Sequence, residues 1–479
     1  MSRAGRWGAI AACIGLTSCI PTLVDNPSRD VRKAVPASFR RDDAAASAAA
    51  DAGVPPEAWS ALFKTPELRS LIEQALKNNQ ELNIRMQEII IAQAEVGARR
   101  GEYLPKVSAG VGVGVEKVGG VTSQGYSDKA TGVPEHLGNF TFGLAATWEV
   151  DVWGRLRNAA KSADFRVQAS IEGRHFLVTQ LVAEISRSYF ELVALDAELE
   201  VLESNIKIQS DALEVVRSEM QAARVTQLAV LRFEAEVLRN RSRLFALEQQ
   251  RVQTENRINF LVGRYPQPVA RSNLALTSTL PPELGGGLPS QLLENRPDLR
   301  QAERELEASK LDVRVAKARF YPALSIDAAV GYRSFNLEHL VSTPESLLYN
   351  LAGNLVAPLL NRAAIEAEYR TANAKQIQAV FNYEKTLLQA YTDVASLLVG
   401  YANLQKGYEL QSHQVEKLAE SVEVSTMLFQ AARADYMEVL LTRRDSLDAQ
   451  LELVETRKNQ LLSMVGLYQA LGGGWRPTP

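Results

Sequence analysis

Residues that build catalytic centres and cross-links are scarce in this sequence. Of its 479 residues, two are cysteine and four are histidine, namely His136, His175, His339 and His413. The histidines lack the spacing of metal ligands, no glycine-rich phosphate loop follows a strand-like segment, and no nucleophile elbow occurs. The sequence therefore predicts no catalytic residue, no metal site and no cofactor.

An excess of basic charge is also missing. Lys and Arg number 53 against 56 Asp and Glu, which gives a formal net charge of −3. A nucleic-acid-binding protein would carry a basic excess. Apolar residues make up 46% of the chain, so its bulk is not disordered. These balances predict a folded protein without a nucleic-acid partner.

The N-terminus has the pattern of a targeting segment. Arg3 and Arg6 precede a short apolar stretch that cannot span a bilayer. The following Leu16-Thr17-Ser18-Cys19 resembles the lipobox of bacterial lipoproteins. Cleavage before Cys19 would remove Cys13 and leave a single cysteine, which suits acylation and excludes an intramolecular disulfide. We predict a signal peptide over 1–18 and lipid attachment at Cys19, with an ordinary signal peptide as the alternative.

The residues after Cys19 predict a tether and a destination. Residues 19–58 are rich in proline and alanine, which predicts an extended tether with little core of its own. Position 20 is isoleucine rather than aspartate, and by resemblance to the known lipoprotein sorting pattern this favours delivery to the outer membrane. Regular structure is predicted to begin near Trp59.

The remainder of the chain is an internal duplication. Residues 97–114 and 315–332 each contain a charged helix end, an aromatic-proline stop and an alternating segment. Gln221-Ala222-Ala223-Arg224 recurs as Gln430-Ala431-Ala432-Arg433. We predict a first repeat over 59–280, a linker over 281–289 and a second repeat over 290–475.

Each repeat contains two segments in which apolar and polar or small residues alternate. The alternation predicts four strands, at about 105–118, 139–153, 322–335 and 347–360. A soluble sandwich could show the same alternation, but strands of this length are closer to tilted membrane strands than to ordinary ones. Four such strands cannot close a barrel in lipid, so we predict an oligomer, with a trimer favoured over a dimer because the inward faces are polar or glycine-rich.

Long apolar seams predict coiled coils. From Leu181 to Met220 apolar residues return every three or four positions, and Leu440, Leu447, Val454, Leu461 and Tyr468 are each seven apart. A single amphipathic surface helix rarely keeps such a register for so long. We therefore predict paired antiparallel helices joined by short turns in both repeats.

The motifs resemble those of the outer-membrane factor family, the TolC-like efflux ducts, in its lipoprotein (NodT-type) branch. The resemblance rests on the segments 288–303, 318–322, 148–154 and 468–475 and covers about residues 59–475. It implies a mainly α fold with β: a trimeric outer-membrane β-barrel continued by a long periplasmic α-helical coiled-coil barrel. It also implies a passive duct that exports small molecules, together with a periplasmic adaptor and an inner-membrane pump of the resistance-nodulation-division type.

Other functions remain open at this stage. A type I secretion outlet would share the fold, an autonomous porin would lack heptads, and a periplasmic structural lipoprotein would lack four long strands. The exported substrate cannot be read from the sequence. Trp148 and Trp153 are candidates for an interfacial aromatic girdle, although Trp153 could instead pack where strand meets helix.

The resemblance also implies where an adaptor would bind. The family usually carries glycine at the two helix turns, where this chain has Ala223 and Ala432. The candidate docking contacts follow the two turns: Arg224, Thr226, Leu228, Arg433, Asp435, Tyr436 and Leu440. The alternative is that these residues only form the turns of a coiled coil and bind no partner. Glu420 and Glu423 are candidates for a like-charged ring at the entrance, with a solvated helix face as the alternative.

Overall fold

The computed structural model describes residues 20–21, 23, 27–36, 38–39, 59–63, 65–272, 289–358, 360, 362–431, 433–473 and 475. The predicted lipid attachment at Cys19, the turn residue Ala432 and most of the predicted linker lie outside these residues. By its internal contacts the chain divides into two units. One consists of Met1–Val31, Ile89–Ser170 and Ala302–Tyr383, and the other of Arg32–Glu88, Ile171–Gln301 and Glu384–Pro479.

Helices and strands follow the same order in both halves. The first half contains α1 Trp59–Leu62, α2 Pro66–Asn78, α3 Gln80–Glu102, β1 Lys106–Glu116, α4 Ser123–Thr131, β2 Leu137–Val150, α5 Arg155–Gln221 and α6 Gln227–Val262. The second contains α7 Leu292–Asn295, α8 Pro297–Ala318, β3 Ala323–Ser334, β4 Leu347–Val356, α9 Ala363–Gln430 and α10 Tyr436–Ala470, with short 3-10 turns at Pro289–Gln291 and Leu337–His339. The predicted mainly α fold with internal duplication is confirmed.

The four strands form one antiparallel sheet in the order β1-β2-β3-β4. The hairpin of the first half therefore pairs with the hairpin of the second half through β2 and β3, with Phe142 opposite Tyr332. Strands β1 and β4 are left at the two edges of the sheet.

The second unit has the larger apolar core. Helix α2 has Pro66 in its first turn, where a missing N–H costs nothing, and it buries a stripe formed by Leu68, Leu71 and Ile72. This stripe packs with Tyr189 and Tyr468, which are both fully buried.

The long helices bury the predicted heptad seam. Helix α5 has 67 residues and is about 100 Å long at 1.5 Å per residue. Its seam is buried at Ile185, Leu192, Leu202 and Leu213, among others. Leu202 packs in one cluster with Leu447, and Leu213 packs in another with Leu440. The two hairpins therefore contact each other through their seams.

The described residues of the predicted tether, within 20–39, lie against helices; we call them the N-terminal strap. In the first unit Ile20 and Leu23 pack against Phe320 and Tyr369, and Gln376 Nε2 donates to the Arg29 carbonyl at 2.9 Å. In the second unit the Tyr391 hydroxyl donates to the Ser38 carbonyl at 2.9 Å, and Phe39 stacks on the Tyr391 ring. These described residues contact α8 and α9, whereas the sequence predicts a tether with little core of its own.

Within the described part of the chain, no helix is both long enough and apolar enough to cross a membrane. Over the same residues, no group of three or more His, Cys, Asp and Glu side chains is arranged to hold a metal ion.

Candidate functional sites: the sheet and the hairpin tips

The sheet has two chemically different faces. Residues that pair across antiparallel strands share a face, so Val111, Phe142, Tyr332 and Leu347 form one apolar row across all four strands. Val111 is 84% exposed in the single chain. An apolar face of this extent requires a lipid or protein neighbour.

The opposite face is polar or small. Ser108, Ala145, Ala329 and Asn350 form one row across it. On the same face, Asn354 Nδ2 of β4 donates to the Asp327 carboxylate of β3 at 2.8 Å. The alternation seen in the sequence therefore separates an apolar face from a face suited to water.

Close packing of β2 on β3 depends on two paired glycines. A Cβ added at Gly143 would lie 2.6 Å from the Val330 carbonyl oxygen, and one added at Gly331 would lie 2.4 Å from the Phe142 carbonyl oxygen. Both contacts are with backbone atoms, which cannot move aside. Only glycine therefore fits at this pair.

Trp153 lies where strand meets helix. Its ring stacks on Tyr321 with centroids 4.6 Å apart, and its Nε1 donates to the Pro322 carbonyl at 2.7 Å. Trp148 Nε1 donates to the Tyr103 carbonyl at 3.0 Å. Trp153 therefore packs against Tyr321 and Pro322, at the junction of strand and helix, which is the second of the two predicted positions.

Asp151 anchors the start of α5. Its side chain is almost fully buried, and it accepts from the backbone N–H groups of Leu156 and Arg157 at 3.1 and 3.0 Å. Burial alone would raise the pKa of this carboxyl, but these two N–H groups and the Arg157 guanidinium outweigh it and hold the pKa below its usual range. The carboxylate thus satisfies free N–H groups of the helix and complements its dipole.

The turn between α5 and α6 forms the tip of the first helical hairpin, and it holds an alanine in a left-handed conformation. We call it the first tip turn, and the turn between α9 and α10 the second. Ala223 has φ of 58°. The Arg224 N–H donates to the Glu219 carbonyl and the Ala223 N–H to the Met220 carbonyl, both at 2.9 Å, which is the bonding of a Schellman motif. Glycine is the usual residue at this position because it has no Cβ. Ala223, which stands where the family usually has glycine, is therefore the one non-glycine residue with positive φ in the described part of the chain.

Side chains after the first turn are exposed. Arg224 is 72% exposed and lies 3.3 Å from the Glu219 carboxylate. Thr226 is the N-cap residue of α6, and Leu228 projects its apolar side chain into solvent. These three predicted contact residues are all accessible in the single chain.

The second turn has the longer-range of the two backbone hydrogen bonds seen in the first, but differs in its side chains. The Arg433 N–H donates to the Leu428 carbonyl at 2.8 Å. Arg433 and the N-cap residue Asp435 are exposed. Tyr436 is half-buried, and Leu440, only 8% exposed, packs against Leu213 and Val216. Leu440 therefore positions the tip and cannot be a direct contact, because heptad packing turns it inward.

A groove lies beside the second tip, which we call the tip groove. It has a volume of about 510 Å³, and its lining includes Glu420, Val424, Leu428, Glu438, Leu441 and Asp445. The three aliphatic side chains are exposed in it. The groove is therefore lined by exposed aliphatic side chains and by carboxylates.

Of the two predicted entrance residues, one is paired with a lysine of its own helix. Glu420 accepts from Lys417 Nζ at 3.0 Å, and this hydrogen bond raises the pKa of Lys417. Glu423 is exposed. Glu438 and Asp445 were missed in the sequence, although their spacing of seven residues places them on one helix face.

The fold is that of an outer-membrane channel protein. The profile of the family described as outer membrane efflux protein matches residues 71–264 and 288–473. The pyoverdine export outer membrane protein OpmQ of Pseudomonas aeruginosa is 31% identical over 468 residues, covering 98% of this chain and 96% of the relative. The cation efflux system protein CusC of Escherichia coli strain K12 is 25% identical, covering 87% and 88%.

Solved structures share the fold. The outer-membrane channel OprN has a TM-score of 0.84 at 24% identity, covering 94% of this chain and all of OprN. The open state of the Neisseria gonorrhoeae channel MtrE has a TM-score of 0.81 at 22% identity, covering 94% and 98%. The chain belongs to the outer membrane efflux protein family. It is the outer-membrane channel component of an efflux system.

Proposed function

We propose that three copies of this chain form a passive duct that receives small molecules from an inner-membrane pump. The observation that carries the proposal is the sheet, in which β1 and β4 have outer edges without strand partners among the described residues. An unpaired edge is not viable in lipid. Three chains joined from β4 to β1 would supply twelve strands and a lumen lined by the polar face.

A helical seam supports the same assembly. Leu231, Leu238, Phe245 and Val252 are seven residues apart on α6, and all are exposed in the single chain. A heptad stripe of this kind needs a partner helix. We assign that partner to a neighbouring copy, which would extend the coiled coil into a closed helical barrel.

The tips are the proposed docking surface for a periplasmic adaptor. Arg224, Thr226, Leu228, Arg433, Asp435 and Tyr436 would contact it. The tip groove fits an adaptor segment that presents apolar side chains flanked by Lys or Arg, because carboxylates line its apolar floor. Glu423 is the proposed member of an entrance ring. We assign the pump to the resistance-nodulation-division class from the motif resemblance.

A lipid anchor at Cys19 fits the position of the strap. Ile20, the next residue, packs near Phe320, three residues before β3 begins. An acyl chain on Cys19 would thus lie close to the strand ends and could enter the adjacent leaflet. We propose that the protein is lipid-anchored in the outer membrane and extends into the periplasm.

Assembly and docking are tested separately. The detergent-extracted protein should migrate as a trimer that dissociates on heating, and a monomer under native conditions would refute the assembly. Cysteines at Arg224 and Arg433 should crosslink to the cognate adaptor in cells. Cysteines at Glu191 and Glu200, higher on α5, serve as matched controls. Crosslinks confined to the controls would replace tip docking with a side-on mode.

The anchor is tested by metabolic labelling. The wild type should incorporate labelled palmitate, and Cys19→Ser should not. Continued labelling of the variant would show that another site is acylated or that the lipobox reading is wrong.

A further inference from the structure

Two apolar clusters in the second unit are separated along the same three helices. One contains Leu199 and Leu202 of α5, Leu247 of α6, and Leu447 and Leu451 of α10. The other, nearer the tips, contains Leu213 and Val216 of α5, Val230 and Phe233 of α6, and Leu440 of α10. Each of the three helices therefore has a segment of a few residues between the two clusters.

Polar residues fill that interval. Gln209 of α5 and Asn240 of α6 are each 1% exposed, and Asn240 Nδ2 donates to Gln209 Oε1 at 2.8 Å. On α10, Arg443 lies three residues after Leu440 and four before Leu447, so it shares their inward face. We call Gln209, Asn240 and Arg443 the polar layer.

The polar layer contains hydrogen-bond donors that lack acceptors. Gln209 Nε2, Arg443 Nε and Arg443 Nη1 each expose less than 1 Å² and have no hydrogen-bond partner among the described residues. Burial also lowers the pKa of Arg443. Buried donors without acceptors are unfavourable, and two of these three belong to a half-buried cation, so the arrangement favours an anionic acceptor.

The duplication shows what has changed at this position. Arg443 corresponds to Glu234 in the first repeat, where Glu234 lies 3.5 Å from Arg217. Arg217 corresponds to Thr426 in the second repeat. The first repeat therefore has an ion pair where the second has an arginine without an ion pair among the described residues.

We propose that the polar layer binds a small monovalent anion of the chloride class, held by Arg443 Nε and Nη1 and by Gln209 Nε2. A carboxylate from another chain cannot reach these atoms because they are buried within one chain. Water is the alternative acceptor, and it would give no anomalous peak in bromide. Asn205 Oδ1, a buried acceptor without a partner one turn away on α5, would take a water molecule beside the anion.

The site is tested on the purified full-length protein with halides. Crystals grown in bromide should show an anomalous peak between Arg443 and Gln209. At constant ionic strength, the melting temperature should rise when gluconate is exchanged for chloride, because a ligand of the folded state stabilises it. Arg443→Met should lose the peak and the chloride dependence. Arg444→Met, which alters an exposed neighbour, should keep both.

A second variant guards against misfolding of the first. Gln209→Leu removes one donor and should shift the chloride response to higher concentration. The proposal is overturned if the layer holds water without an anomalous peak. It is equally overturned if melting is the same in chloride and gluconate, or if Arg443→Met retains the wild-type chloride response.

Discussion

Gly143 and Gly331 face each other across β2 and β3 so closely that neither position has room for a methyl group. This contact joins the hairpin of the first repeat to that of the second. The pairing of β2 with β3 is therefore one of the places where the duplicated halves meet.

Adding a methyl group at this seam should weaken the sheet. Gly143→Ala or Gly331→Ala forces a Cβ against a backbone carbonyl, and such overpacking typically costs about 1–3 kcal/mol. Gly110→Ala is a matched control in the same row, since nothing lies within 4 Å of its added Cβ. The yield of heat-modifiable trimer measures the effect. Equal yields for all three variants would contradict the close approach.

Charge should be tolerated on only one face of the sheet. Val111→Arg and Leu144→Arg place a cation on the apolar face, which costs roughly 2–4 kcal/mol at the middle of a bilayer. On the opposite face, Gly110→Arg is a better control than Gly112→Arg, because a Cβ at Gly112 meets Thr141 Oγ1 at 2.5 Å. Trimer yield in outer-membrane fractions should fall for the first two variants only. A comparable loss in Gly110→Arg would mean that both faces are buried.

The first tip turn should be stabilised by glycine. Ala223→Gly removes a left-handed alanine, a conformation that costs roughly 1–2 kcal/mol per residue. The Arg224 amide, bonded to the Glu219 carbonyl, should then exchange its hydrogen more slowly. Ala222→Gly is the control and should speed exchange, because the Ala222 N–H continues the helical bonding to Ser218. Faster exchange in Ala223→Gly would show that the alanine is not strained.

Acid should remove the contribution that the Asp151 carboxylate makes to the stability of the folded protein. Its folded-state pKa lies below the unfolded value, so the stabilisation is complete above the unfolded pKa, near 4, and is lost as pH falls through the folded pKa. Asp151→Asn should therefore lower the melting temperature at pH 7, and the gap to wild type should close below about pH 4. Asp211→Asn, at an exposed position of the same helix, should show no such gap. A gap that persists unchanged at low pH would exclude a charge effect.

The sequence predicted the elements well because their signals are local. Alternation at Val107–Val115 and the seam from Leu181 onwards each depend on residues within one strand or helix. The family motifs added the channel function, which the profile match and the relatives confirm. The tip positions remain predictions.

What the sequence did not predict depends on contacts between distant residues. The position of Leu440 near a turn predicts a surface contact, yet the side chain packs against α5. The pairing of Glu420 with Lys417 was overlooked, although a spacing of three residues could have revealed it. The polar layer involves three helices, and no single-helix pattern marks Arg443 as unpaired.

Two of the hydrogen bonds that hold the strap use its own main chain. Gln376 and Tyr391 donate to the carbonyls of Arg29 and Ser38, atoms that every amino acid possesses. Substitutions at these two strap positions would therefore leave the hydrogen bonds in place, whereas the donors on α9 have few replacements. Over evolutionary time these two strap positions can therefore diverge further than Gln376 and Tyr391, which must keep a donor. A comparison of homologous chains should find rapid drift on one side of this contact and near-invariance on the other.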